Sequence, residues 1–198
     1  IEWWSRYFPG TIRNGSLVVA QPRDSTYLAR FAERTERFEW ADAERIAALE
    51  PDLAGRFRRA LLFPEEAHLD PRRALAVLVE RLADLGIAIR FGVDLSPATA
   101  PGDAVIDCRG FAARDVLSDL RGVRGEMVVV RCRDIALARP IRMLHPRIPL
   151  YIVPRGDGLF MIGATVIESE RHGPVSVRST VELLNAAYAL HPAFGEAE

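Results

Sequence analysis

The sequence predicts a mixed fold, α+β in one part and α/β in another: an antiparallel sheet with flanking helices, joined to part of an open α/β layer. Three observations predict it. From Arg124 onward, short apolar runs rich in β-branched residues alternate with turn residues, which is strand patterning. Between Asp70 and Gly110 a helical pattern is followed by two strand-like runs, the order of a nucleotide-binding α/β layer. With 198 residues and 49% apolar side chains, the chain can bury the core of one domain or of two small ones.

The elements follow in order. "TIRNGSLVVA" is a strand signal in which Asn14-Gly15 is expected to turn a hairpin. Helices are expected near residues 24–36 and 41–49. The second should end at Glu50, because Pro51 disfavours helical geometry in the residue before it. Asp70-Pro71 combines an N-capping side chain with proline at the first helical position, and Leu75, Leu78, Val79, Leu82 and Leu85 follow at helical spacing until Gly86 stops the helix. "IAIRFGV" (87–93) and "AVIDC" (104–108) are expected strands on either side of the Pro-rich link "SPATAPGD". "GEMVVVRC", residues 141–144 and the two arms of "LYIVPRGDGLFMIGATVIES" (150–169) complete the antiparallel set. A last helix is expected to start near Ser176 to Ser179, where Ser179 and Glu182 have capping-box spacing, and to run to about Leu190.

Composition narrows the function. A net charge of -1, with charges interspersed, gives no general attraction for polyanions, so nucleic acid is not an expected partner. All 26 basic residues are arginine, which excludes a lysine Schiff base, a P-loop lysine or a lysine base within this stretch. Cys108 and Cys132 have no CxxC spacing and are too few for a disulfide framework, so a reducing cytoplasm is the expected compartment. No apolar run approaches the roughly 18 residues of a membrane span. The histidines His68, His145, His172 and His191 are scattered outside any zinc spacing and are expected to be structural or superficial. No Gly-x-Ser-x-Gly elbow occurs, and Gly110, Gly122 and Gly125 do not make a Gly-x-Gly-x-x-Gly loop. The chain opens on "IEWW" and stops at "HPAFGEAE", so it is expected to be a piece of a longer protein.

The hairpin poses a sharper question. Alternation along a strand puts Tyr151 and Val153 on one face, which Val166, beyond the second arm, can approach; that face could wall a ligand. An amphipathic ring at a sheet edge with a wet hydroxyl is the plainer account of Tyr151. Arg155 is expected to pair with a carboxylate near the turn. Gly110, after Cys108 and Arg109, either lets backbone approach a ligand or serves a strand-to-helix turn that needs glycine. Cys108 is expected to be a small buried filler.

"DAVIDCRGFAARDVL", then "VRGEMVVV", then "LYIVPRGDGLFMIGAT", preceded by "LEPDL", "LFPEEAHLDPRRALAVLVERLADLG" and "FGVDL", resemble in order and spacing the central segments of the D-amino-acid oxidase-like FAD-dependent oxidoreductases, with the glycine oxidases of thiamine biosynthesis as the most similar type. The resemblance covers nearly the whole chain. It implies that residues 1–66 begin a substrate (cap) domain, that 67–122 are part of a Rossmann-like FAD-binding domain, and that 123–198 return to the substrate-domain sheet and its helix. It further implies that Tyr151 and Val166 line the substrate pocket, and that Val93, Cys108, Arg109 and Gly110 approach the adenosine half of FAD. The implied activity is oxidation of a small amino acid or amine to an imine, with hydride transfer to flavin and reoxidation by dioxygen. A sarcosine-type or tRNA-modification oxidoreductase of the same family, and a flavin-free interaction module on the same fold, are the alternatives. The partner implied is a small amino acid or amine, and assembly into a homo-oligomer is left open. Two departures stand out: the family's N-terminal Gly-x-Gly-x-x-Gly and its C-terminal "GLRP" segment, which carries the carboxylate-binding arginine, are not in this sequence. The stretch between "FGVDL" and "AVIDC" is also shorter than the strand pair that family members often carry there, at the edge of the flavin domain.

Overall fold

A seven-stranded sheet forms the centre of the structure, a computed structural model that describes residues 1–145 and 150–198. Its elements run α1 (Glu2–Tyr7), β1 (Ser16–Ala20), α2 (Ser25–Ala32), β2 (Glu39–Asp42), α3 (Ala43–Leu49), β3 (Arg59–Phe63), α4 (Pro71–Asp84), β4 (Val123–Arg124), β5 (Met127–Arg131), β6 (Ile141–Leu144), β7 (Leu150–Gly156), β8 (Leu159–Gly163), β9 (Ile167–Glu168) and α5 (Val177–Leu190). The sheet order is β2-β3-β1-β6-β7-β8-β5, and every neighbouring pair is antiparallel except β1 with β6. Strands β4 and β9 form a separate two-stranded ribbon. The fold is therefore mixed α/β with a mostly antiparallel sheet.

Alternation along the strands divides the core between the two faces. Leu17, Val19, Ile141, Met143, Leu150, Ile152 and Ile162 point to one face, where Leu183, Ala187 and Leu190 of α5 and Ile46 of α3 close over them. On the other face Val18, Ala20, Leu61 and Phe63 pack under Leu28 and Phe31 of α2. Beyond α2 this second face is largely uncovered.

The local signals in the sequence account for most helix ends. Asp70 caps α4, its Oδ1 accepting from the N–H groups of Arg72 at 2.9 Å and Arg73 at 3.3 Å, and Gly86 follows the helix in the left-handed region at φ 71°. Helix α3 ends at Glu50, whose φ of -140° is extended as a residue before proline requires. The last helix starts from Ser176, whose hydroxyl accepts from the Ser179 N–H, so the expected Ser179/Glu182 capping box does not form; Ser179 lies buried in the first turn instead.

Three expectations are corrected. Asn14-Gly15 turns no hairpin. Gly15, at φ 75°, donates to the Glu66 carbonyl, Ile12 bridges to His68, and the Asn14 amide donates to the Ala138 carbonyl, so the chain before β1 is held by distant segments rather than folded back on it. Residues 87–93 and 104–108 form no strands. A strand exists only beside a partner that completes its ladder, neither segment pairs with a described strand, and Phe91 and Ile106 are 80% and 86% exposed. The apolar stripe of α4 is largely uncovered, with Leu75, Val79 and Leu85 exposed and Ala74 the buried residue of the helix.

Candidate functional site

The uncovered half of the second face presents side chains that no other described element covers, and it is the candidate site. Register sets Arg142, Tyr151, Gly163 and Met127 in one cross-strand row, and Val153, Met161 and Val129 in the next. Met127, Val129 and Arg142 are exposed, and Tyr151 and Met161 are half-buried. Arg142 makes no hydrogen bond or ion pair with the described residues. The row is thus an apolar surface with one free guanidinium and one phenol.

Tyr151 owes its position to Gly163. A Cβ on Gly163 would sit 3.1 Å from both the Cζ and the hydroxyl of Tyr151, so the ring lies on the glycine and would have to shift by a few tenths of an ångström to admit a larger residue. The small-residue exit Gly163-Ala164-Thr165 is explained at its first member by this contact. Val153 shares the Tyr151 face as expected and is buried. Val166 stands past the end of β8 and is 76% exposed, without a ladder partner of its own.

Arg155 does not pair with a carboxylate as expected. Its Nη1 donates to the Leu69 carbonyl at the entry to α4, and burial lowers its pKa while the nearby charge of Asp70 opposes this. The same burial, with the Arg155 charge, lowers the pKa of His68, whose Nε2 is buried without a partner. Arg155 therefore fastens the hairpin to the start of α4.

The residues assigned to the cofactor lie in the exposed segment between α4 and β4. Cys108 is exposed, which corrects the expectation of a buried filler: the strand that would have buried it has no neighbour. Arg109 grips Asp107 and Asp115 at 2.9 Å each and donates to both carboxylates through parallel bonds. These bonds, first to Asp107 and then to Asp115, hold the guanidinium firmly protonated and both carboxyls below the usual range. Gly110 follows at φ 59° and opens a 3₁₀ turn through Asp115, and a Cβ there would meet nothing within 4 Å. The dihedral of Gly110 favours glycine, and among the described residues no strand leads into the turn that it opens. Val93 is exposed, and no hydrogen bond or strand pairing joins it to the Asp107–Gly110 turn among the described residues. Sequence reasoning missed Arg142, Met127, Val129 and Met161. Their alternation was visible, but which face stays open depends on where α2 ends.

Among the described residues no group of three His, Cys, Asp or Glu is placed to hold a metal ion, and no helix is long and apolar enough to cross a membrane.

Known proteins resemble this chain in sequence and in fold. The family described as "DAO: FAD dependent oxidoreductase" matches residues 2–198. The putative thiamine biosynthesis oxidoreductase ThiO of Rhizobium etli is 55% identical over 197 residues, 99% of this chain and 60% of that protein. The crystal structure of glycine oxidase from Geobacillus kaustophilus superposes with a TM-score of 0.73 at 22% identity, over 100% of this chain and 60% of that one. Glycine oxidase from Bacillus cereus gives a TM-score of 0.71 at 21% identity, over 96% of this chain and 59% of that one. The chain thus spans about three fifths of the length of the relatives it matches, and a family match over residues 2–198 places it in the DAO family of FAD-dependent oxidoreductases.

Proposed function

We propose that the whole protein oxidises a small, glycine-like amino acid or amine to its imine, and that this chain supplies the substrate-domain sheet and part of the FAD-binding domain. The observation that carries the reading is the Arg142–Tyr151–Gly163–Met127 row, an open, mostly apolar face bearing a phenol fixed by a glycine. Residues 1–66 and 123–198 contribute to that sheet, and 67–122 hold the exposed turn; this supports the division into substrate-domain parts and a flavin-domain part.

The residues present fit FAD. Gly110 leaves open space where a backbone-hugging ligand would lie, and Val93 and Ile106 offer exposed apolar surface on the same segment. Cys108 and Gly110 would approach the adenosine half, with Arg109 locking the turn between Asp107 and Asp115. Bound FAD would supply the hydride acceptor for the oxidation, with dioxygen as the terminal oxidant. Tyr151 offers its hydroxyl to the substrate, and the Met127, Val129 and Met161 side chains exclude water from the face. Val166, at the mouth beyond β8, limits the size of the substrate side chain. The ThiO relative's name ties such an oxidation to thiamine biosynthesis.

Val166→Phe tests this in the intact, FAD-loaded protein. Removing space at the mouth should lower kcat/KM for a bulky amino acid relative to glycine by about 1 to 3 kcal/mol, with sarcosine between them. Ratios identical to wild type across the three substrates would make the hairpin scaffold and leave Tyr151 as a packed surface ring.

A further inference from the structure

We propose that Glu126 is the positioning residue of this pocket: its main chain holds Thr165, its carboxylate holds the start of helix α5, and the two together fix where Val166 stands. The proposal rests on the reading of Val166 as a pocket wall.

The segments before β5 and after β8 run antiparallel, paired first as β5 with β8 and then as β4 with β9. Between these two ladders lie Gly125-Glu126 and Ala164-Thr165-Val166, where neither strand assignment continues. Glu126 spans the interruption. Its N–H donates to the Thr165 hydroxyl at 3.0 Å, and the Thr165 N–H donates back to the Glu126 carbonyl at 3.1 Å. Thr165 is buried, so Val166 leaves the fold from a clamped residue even though its own side chain is exposed.

The Glu126 side chain is buried as well and is fully engaged. Oε1 accepts from the Ser176 N–H at 3.0 Å and pairs with Arg124 at 2.6 Å, and Oε2 accepts from the Ser176 hydroxyl at 3.0 Å. Arg124 in turn donates to the carbonyls of Arg171, Gly173 and Pro174, which tie down the loop leading into α5. A buried carboxylate with this many donors is held ionised, Ser179 and then Ser176 keeping its carboxyl below the usual range. An apolar residue of similar size could fill this volume. The carboxylate instead joins three segments, the β5 entry, the hairpin exit and α5, where the ladder between the two ribbons breaks.

The test uses the intact, FAD-loaded protein and compares kcat/KM for glycine with kcat/KM for racemic valine. This ratio is independent of how much of a preparation is folded, because both rates scale with the same active fraction. Thr165→Val removes the acceptor for the Glu126 N–H, and Glu126→Gln replaces the charge that holds Arg124 and Ser176. Each should change the ratio on the order of tenfold by letting Val166 move, Thr165→Ser should restore it, and Val166→Phe should have a smaller effect on the ratio in the Glu126→Gln background than in wild type. If Glu126→Gln loses its flavin, the Thr165→Val and Thr165→Ser pair decides. Ratios within twofold of wild type in both Thr165→Val and Glu126→Gln, while Val166→Phe shifts the ratio, would overturn the proposal and leave the pocket reading standing. A Val166→Phe ratio that also stays at wild type would remove the pocket reading and this proposal with it.

Discussion

Glu50 and Glu126 are both buried carboxylates beside an arginine, yet their surroundings push them in opposite directions. Burial raises the Glu50 carboxyl, against hydrogen bonds from the Ala138 N–H at 2.9 Å and Arg139 Nε at 2.7 Å. Its folded state therefore holds a proton to higher pH than the unfolded chain, so Glu50's contribution to stability is complete below the usual carboxylate pKa and declines as pH rises through the raised one. Glu126, held low by Ser179 and Ser176, contributes above the usual carboxylate range and loses its contribution as pH falls. Arg139 is the larger stake, since its other donors reach the Asn14 and Leu49 carbonyls. Arg139→Ala, which strands a buried carboxylate, should cost about 3 kcal/mol in urea unfolding at neutral pH, with a smaller loss on acidification, as Glu50 takes up a proton. A loss that grows on acidification would contradict this account of Glu50. At this scale the sequence was least informative. Arg155 was assigned a carboxylate and found a carbonyl, because its partner at Leu69 is set by tertiary packing that no local pattern encodes.

Elements with local causes were legible. Asp70, Pro71 and Gly86 bound α4 as their chemistry requires, and the Gly156-Asp157-Gly158 turn joins β7 to β8 with φ values of 85°, 52° and 69°. These glycines are not equivalent. A Cβ on Gly156 meets open space, whereas one on Gly158 would lie 3.0 Å from the Cys132 carbonyl oxygen. Gly156→Ala should therefore cost only the left-handed dihedral, about 1 kcal/mol, and Gly158→Ala appreciably more, because backbone must also move. Thermal unfolding of the two variants checks the order, and equal shifts would show that the turn relaxes freely. The elements misjudged were those whose existence depends on a neighbour. Residues 87–93 and 104–108 have strand-like composition, but composition cannot supply a ladder partner. Asn14-Gly15 carries a hairpin dipeptide, yet Arg13 and Asn14 face outward or toward Ala138 and leave nothing for a second strand to bury.

At the scale of the molecule, the sheet and its α5 face were foreseeable from alternation, whereas the order of the strands was not. The exposed apolar residues of the middle segment show the difference most plainly. Phe91 and Ile106, with Leu85 and Val116, form no part of either core cluster and stand in solvent. Surface of this kind promotes association. The 198-residue chain should therefore self-associate in sedimentation experiments at micromolar concentration, and Phe91→Ser with Ile106→Ser should shift it toward monomer without lowering its thermal midpoint. A lowered midpoint would mean that these side chains are packed and that the segment is more ordered than its exposure indicates.

The single parallel seam between β1 and β6 has a consequence for how the chain reaches this shape. On one side of it, β1, β3 and β2 pair within the first 63 residues; on the other, β6, β7, β8 and β5 pair within residues 127–163. Leu17 must wait for Ile141, and at ordinary ribosomal speeds that delay is on the order of ten seconds. During it, β1, with Val18 and Val19, stays the unpaired edge of the early three-stranded unit, and such an edge is the template for wrong partners. Closure of the seam joins two independently zipped halves by a contact of long sequence separation, the slowest kind to form, and makes it the step at which folding and misassembly of this chain part ways.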